Sequence, residues 1–172
     1  TLRAGDLRTE VELDDQPSGL GWLPDGRLLV VAMRERAVRR LEAGKLQLHA
    51  DISALTAHLC NDMVVDAQGR AYVGNFGFDL DAELRSRGPE SVIGNHPTTM
   101  LALVQPDGTV SDAAPGERFG FPNGMVITSD GRTLILGGMN VGDAYLDGGV
   151  TREGWHDTDL LIEGPAAQEA TR

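Results

Sequence analysis

The chain has a single cysteine, Cys60, among its 172 residues. A disulfide within the chain is therefore excluded, and a reducing compartment is indicated. The sequence also has no apolar run of about 18 residues, the length that a membrane-spanning helix requires. We therefore expect a cytoplasmic protein that does not enter a membrane.

Positive charge is also scarce. Fifteen Lys and Arg residues face 26 Asp and Glu residues, which gives a formal net charge of −11. Nucleic-acid binding requires clustered cations that neutralise phosphates, so this class is excluded, and anionic membrane surfaces are disfavoured.

Common catalytic motifs are missing as well. There is no Gly-x-Ser-x-Gly elbow, no phosphate-binding P-loop and no Gly-x-Gly-x-x-Gly sequence. The histidines do not occur at the His-x-x-x-His spacing of a zinc site. They are His49, His58, His96 and His156.

One twelve-residue pattern occurs three times. Each copy has an apolar run, a turn ending in Gly-Arg, and a second apolar run, which predicts a β-hairpin because glycine accepts the positive φ of such turns. The copies are residues 20–31, 63–74 and 125–136, with turn glycines Gly26, Gly69 and Gly131. A single hairpin is marginally stable in water, so the repetition predicts an all-β architecture of stacked hairpins.

The spacing of the turn glycines indicates β-propeller blades. The first interval, 43 residues, is typical of a four-stranded blade, and the second, 62 residues, includes an insertion over residues 79–99. We expect this insertion to be a surface loop with one short helical turn. Second hairpins at 38–46 and 101–110 would complete two blades, and residues 145–150 would form the same second hairpin in a third. The prediction is one partial propeller domain over 1–172, with a divergent C-terminal segment at 140–172.

Three motifs carry a resemblance to a known family. Residues 18–26 (Ser-Gly-Leu-Gly-Trp-Leu-Pro-Asp-Gly), 61–75 (beginning Asn-Asp-Met-Val-Val) and 121–132 (beginning Phe-Pro-Asn-Gly) resemble the SMP-30/gluconolactonase/luciferin-regenerating-enzyme-like family. The resemblance covers roughly residues 17–139. It implies a six-bladed propeller, of which this chain holds about three to three and a half blades. It also implies a metal-dependent hydrolase that opens lactones or related esters, with calcium or zinc as cofactor.

The resemblance assigns roles to two asparagines. It implies that Asn123 is a metal ligand and that Asn61 binds the substrate, a small lactone or ester. Ser18 stands where the family has a glutamate ligand, and Leu59 where an arginine is common. No motif after residue 140 matches the family's general-base aspartate, so no catalytic residue is assigned.

The residues themselves leave other interpretations open. Asparagine is favoured in turns, so Asn61 and Asn123 are also explained as turn residues. Cys60 is either a nucleophile beside His58 or a buried structural thiol, which we favour. Trp22, Tyr72 and Phe76 are expected to pack between blades.

Chain length and fold permit a second function class. Six blades of about 45 residues need roughly 270 residues, so this chain is a fragment, a truncated protein or a half-ring. An open propeller exposes strand edges through which copies could associate. The alternative function is a non-catalytic propeller that binds a ligand or a protein, because fold alone does not imply catalysis.

Overall fold

The computed structural model describes residues 9–137 and 160–162, which form three antiparallel sheets. The first contains β1 (Pro17–Trp22), β2 (Leu28–Ala32), β3 (Ala37–Glu42) and β4 (Lys45–Asp51). The second contains β5 (Cys60–Val65), β6 (Ala71–Asn75), β7 (Ala102–Val104) and β8 (Val110–Asp112). The third contains β9 (Asn123–Ile127), β10 (Leu134–Gly137) and β11 (Leu160–Ile162). Each sheet is a meander in chain order, as in a propeller blade, and we call them blades 1, 2 and 3.

The three predicted hairpins are present as β1–β2, β5–β6 and β9–β10. Their turn glycines, Gly26, Gly69 and Gly131, all have positive φ, between 69° and 86°. Residues with a Cβ rarely adopt this conformation, which explains glycine at each turn. The prediction of an all-β fold made of propeller blades is confirmed.

The outer hairpins are confirmed in two blades, as β3–β4 and β7–β8. The third, predicted at residues 145–150, lies outside the described residues. Of the segment 140–172, the structure describes only β11, which pairs with β10.

The insertion at 79–99 contains more helix than expected. It forms α1 (Leu80–Arg87) and α2 (Pro89–Gly94) instead of a loop with one turn. Asp79 caps α1 by accepting a hydrogen bond from the Ala82 backbone N–H at 2.9 Å, and Pro89 begins α2. No helix among the described residues is long and apolar enough to cross a membrane.

The blades pack face to face, with innermost strands β1, β5 and β9 side by side. Between blades 1 and 2 the backbones approach closely: a Cβ added to Gly19 would lie 2.4 Å from the Met63 nitrogen. Tyr72 packs between blades 2 and 3, as predicted. Trp22 does not pack between blades: 60% of it is exposed, because the described residues place no blade against that face.

A buried ion pair closes the turn of the β5–β6 hairpin. The side chains of Asp66 and Arg70 are each only 3% exposed, and Arg70 Nε donates to Asp66 Oδ2 at 2.6 Å. The other carboxylate oxygen accepts the backbone N–H groups of Gln68 and Arg70. In the equivalent turn of blade 1, the pair Asp25–Arg27 is exposed to solvent. The same Gly-Arg motif therefore supports a buried pair in one blade and a surface pair in another.

We predict that Arg70→Met lowers the free energy of unfolding by about 3–5 kcal/mol, because it leaves the buried Asp66 carboxylate without its counter-charge. The matched change Arg27→Met, at the same hairpin position, should have much less effect, because solvent screens the exposed pair. Urea denaturation of both variants measures the difference. Equal losses would contradict the distinction.

A second polar group lies where blade 1 meets the outer hairpin of blade 2. His49 Nδ1 is 3.3 Å from Arg40 Nη1, and its buried Nε2 has no hydrogen-bond partner among the described residues. Partial burial, reinforced by the charges of Arg40 and Arg27, lowers the pKa of His49 below its usual 6.5. The Gln105 backbone and the nearby Asp107 act in the opposite direction and raise the pKa, but they do not outweigh burial. The folded protein therefore favours the neutral imidazole.

The sign of this pKa shift predicts an acid-sensitive contact. The stability that neutral His49 contributes is fully present above about pH 6.5, the unfolded pKa, and is lost as the pH falls toward the lower folded pKa. We expect His49→Gln to lose less free energy of unfolding than the wild type between about pH 7.5 and pH 5.5. Chemical denaturation at the two pH values tests this, and parallel losses would contradict it.

Candidate functional site

Three equivalent positions on the innermost strands define the candidate site. Ser18, Asn61 and Asn123 each stand eight residues before the turn glycine of their own hairpin. Near this position every innermost strand carries one more residue than its partner strand, which is a β-bulge. Bulges redirect side chains and are common beside active sites. The repeat thus places one polar residue of each blade at the same position of its innermost strand.

Asn61 is the most unusual of the three residues. It is only 4% exposed, yet neither Oδ1 nor Nδ2 has a hydrogen-bond partner among the described residues. A buried amide left unpaired costs about 1–3 kcal/mol, so such groups are rare unless a bound molecule completes them. The amide offers one acceptor and two donor hydrogens to a ligand.

The start of blade 3 lies against Asn61. A Cβ built on Gly74 would be 2.4 Å from Asn61 Oδ1 and 2.1 Å from the Pro122 carbonyl oxygen. Both oxygens therefore pack against the Cα of Gly74 in β6, where there is room for a hydrogen atom but not for a side chain. Asn123 follows Pro122 directly and is itself buried. The two asparagines that the sequence analysis singled out thus lie on neighbouring blades, joined through Gly74 and Pro122.

Backbone strain accompanies this junction. Phe121 has a φ of 58°, in the left-handed region that a bulky side chain rarely adopts. Its ring stacks on Phe76, with ring centroids 4.5 Å apart, and makes an edge contact with Phe78. This aromatic cluster anchors the loop that leads into Asn123, and it uses Phe76 for packing, as expected.

A third asparagine, Asn75, was not assigned a role from the sequence. It is 1% exposed, and both ends of its amide are paired: Nδ2 donates to the Met100 carbonyl at 2.8 Å, and Oδ1 accepts from Thr99 Oγ1 at 2.7 Å. Asn75 therefore ties β6 to the chain entering β7. Nothing in the local sequence distinguishes this structural amide from Asn61, because the difference arises from distant partners.

The donor atoms fit a hard cation only in part. Asn61 Oδ1 is an unpaired neutral oxygen, and amide oxygens are calcium ligands. The described residues contain no group of three or more His, Cys, Asp or Glu side chains that could hold a metal. Ser18 contributes a hydroxyl where a carboxylate would bind more strongly. Asp62 Oδ1 already accepts the Met63 backbone N–H. These neutral oxygens suit calcium better than zinc, which prefers nitrogen and sulfur.

Cys60 precedes Asn61 but does not have the properties of a nucleophile. Its side chain is fully buried, and burial raises the pKa of the thiol to about 12 despite the opposing charge of Arg36. A reactive cysteine requires a lowered pKa and solvent access. The expectation of a buried structural thiol is confirmed.

Fold and site together define a β-propeller with amide side chains on its innermost strands. The chain belongs to the SMP-30/gluconolactonase/LRE-like family, whose model matches residues 2–141. A comparison with curated proteins gave no match.

Solved structures with the same fold have diverse functions. A gluconolactonase from Xanthomonas campestris aligns with a TM-score of 0.56 at 21% identity, over 75% of this chain and 42% of that chain. A PQQ-bound aldose sugar dehydrogenase from Streptomyces coelicolor aligns with a TM-score of 0.56 at 17% identity, over 94% of this chain and 48% of that chain. A chain of a nidogen/laminin complex aligns with a TM-score of 0.55 at 12% identity, over 77% of this chain and 44% of that chain. The chain spans less than half the length of each, and these likenesses show the fold alone.

The close contact at Gly74 predicts a sharp response to one methyl group. Gly74→Ala should lower the free energy of unfolding by about 1–3 kcal/mol, because the Cβ would overlap Asn61 Oδ1 and the Pro122 carbonyl. Gly94→Ala is the control: a Cβ there meets nothing within 4 Å, and alanine favours the helix. Thermal or urea denaturation of both variants measures the effect. A neutral Gly74→Ala variant would show that blades 2 and 3 are not in contact there.

Proposed function

We propose that the protein is a metal-dependent hydrolase that opens lactones or related esters. One observation carries the proposal: the buried, unpaired amide of Asn61 lies beside the strand that begins with Asn123. Family membership supports the reaction class, since gluconolactonase is part of the family's name.

Each asparagine has a separate role in this proposal. Asn123 is the metal ligand, and the bound cation supplies a Lewis acid that polarises the ester carbonyl. Asn61 holds the substrate: Nδ2 donates a hydrogen bond to the lactone carbonyl oxygen, and Oδ1 accepts one from a hydroxyl or water. The Asn61 amide is already buried and packed against Gly74 and Pro122. Little reorganisation is therefore needed when negative charge develops on the lactone carbonyl oxygen.

Of calcium and zinc, calcium matches these neutral oxygen donors better, because zinc prefers nitrogen and sulfur ligands. No described residue is assigned as the general base. The carboxylate that activates water would therefore come from residues beyond those described or from another chain.

A non-catalytic binding module is the competing function. The hydroxyl of Ser18 at a ligand position and the lack of a carboxylate cluster among the described residues favour it. A dehydrogenase and a chain of a nidogen/laminin complex have similar folds, so the fold alone does not decide between the two functions.

Lactone hydrolysis after metal removal tests the proposal. We expect the chelated protein to regain activity on simple lactones with calcium more than with zinc. Asn61→Ala should lower kcat/KM on the order of 10²-fold, as loss of a hydrogen bond to a developing oxyanion does. Asn123→Ala should raise the calcium concentration needed for half-maximal rate. Asn95→Ala, at an exposed amide after α2, is the matched control and should change neither.

A thermal melt distinguishes the two functions independently of activity. A melting temperature that rises with calcium in the wild type, and less in Asn123→Ala, supports an assembled cation site. No hydrolysis together with no effect of metal on melting would overturn the enzyme and favour the binding module.

A further inference from the structure

The helical insertion, residues 79–99, contacts the segment that leads into blade 3. Thr99, at the end of the insertion, and Phe119 exchange two backbone hydrogen bonds, of 2.8 and 2.9 Å. At the next residue of the segment, a Cβ added to Gly120 would lie 2.8 Å from His96 Cε1. The backbone of this segment therefore lies directly against the insertion before it reaches β9.

The third contact is made by Phe121. Its side chain is 7% exposed and forms one buried cluster with Phe78 and with Val92 of α2. Leu80 and Leu84 of α1 pack against the same cluster. Both helices of the insertion therefore contribute apolar side chains to the surroundings of the Phe121 ring.

The backbone of Phe121 depends on this packing. Its φ is 58°, whereas the residue before a proline normally has a φ of about −120°. Such a conformation persists only where the surrounding structure fixes it. Pro122, the next residue, is fully buried, and Asn123 follows it. The direction in which the chain enters β9, and with it the position of Asn123, therefore depends on the conformation of Phe121.

We propose that Phe121 is a positioning residue for Asn123, and that the helical insertion sets the calcium affinity of the site through it. This inference rests on the proposed function, in which Asn123 is the metal ligand. Phe121 acts without contacting the cation: α2 packs against its ring, and the ring holds the strained backbone that directs Asn123. Without that packing the backbone would relax, and the ligand would have to be ordered again each time calcium binds, at a cost in affinity.

Two buried valines provide a matched test. Val92 in α2 and Val104 in β7 are 2% and 0% exposed, but only Val92 belongs to the cluster around Phe121. Val92→Ala and Val104→Ala should both lower the melting temperature of the calcium-free protein, because each leaves a cavity in a packed core. Only Val92→Ala should raise the calcium concentration that gives the half-maximal increase in melting temperature, by about 5-fold or more.

A second variant removes the ring and leaves the backbone conformation accessible. Glycine adopts a positive φ freely, so Phe121→Gly should fold, but it offers α2 no side chain to pack on. We expect the same rise in the calcium requirement, measured by melting and by titration calorimetry. Saturating calcium should return the kcat of Phe121→Gly on a simple lactone to the wild-type value. Asn61→Ala, which removes a group that contacts the substrate, should stay slow at every calcium concentration.

The outcomes separate this inference from the proposed function. Equal calcium requirements for Val92→Ala and Val104→Ala, or a wild-type calcium affinity in Phe121→Gly, would overturn the inference and leave the hydrolase standing. A wild-type melting temperature that does not respond to calcium would overturn both the metal ligand and its positioning residue. A selective loss of calcium affinity in Val92→Ala, in a protein that hydrolyses no lactone, would support the inference and count against the hydrolase.

Discussion

The packing of one blade on the next is the constraint on which the described structure depends. The sheets alternate apolar residues toward either side, so blade 2 places Val73 against blade 1 and Tyr72 against blade 3. A sheet with two apolar faces is not stable alone, because each face exposed to water forfeits about 25 cal/mol for every Å² of apolar surface left unburied. Close face-to-face stacking is therefore the constraint from which the rest of the architecture follows. It requires glycine at Gly19, where a Cβ would meet the next blade's backbone.

The candidate site is a product of the same stacking. A bulge on each innermost strand interrupts the regular ladder, and the interruption allows the side chain at that position to leave its sheet. In blade 2 the Asn61 amide is buried beside Gly74 and Pro122 but forms a hydrogen bond with neither. The cost of that unpaired amide is offset by the packing around it, including the aromatic cluster that holds Phe121 in a strained conformation. The contacts that bury Asn61 are thus also the contacts that shape the proposed binding site.

The predictable parts of the fold were those with local causes. The hairpins follow from Asp-Gly and Gln-Gly turns between apolar runs, and the structure reproduces all three. The helices at 80–94 were underestimated, although the cap at Asp79 and the proline at Pro89 are local signals that indicate helix starts. Large aromatic residues usually pack, which predicts Trp22 at an interface between blades, but no described blade covers its face of the sheet. Burial of Asp66–Arg70, and exposure of Asp25–Arg27, depend on which neighbouring sheet covers each turn.

The distinction between Asn61 and Asn75 shows why the site needed the structure. Both are buried asparagines in blade 2, only one strand apart, and the family motif identifies the first but says nothing of the second. Thr99 and Met100, from the far side of the helical insertion, satisfy Asn75, whereas no described residue reaches Asn61. The end of the insertion therefore makes Asn75 a structural amide, whereas Asn61 keeps its hydrogen-bonding groups unpaired among the described residues. Loss of the Thr99 hydroxyl would leave the Asn75 amide oxygen without its partner as well, because that oxygen accepts its hydrogen bond from Thr99.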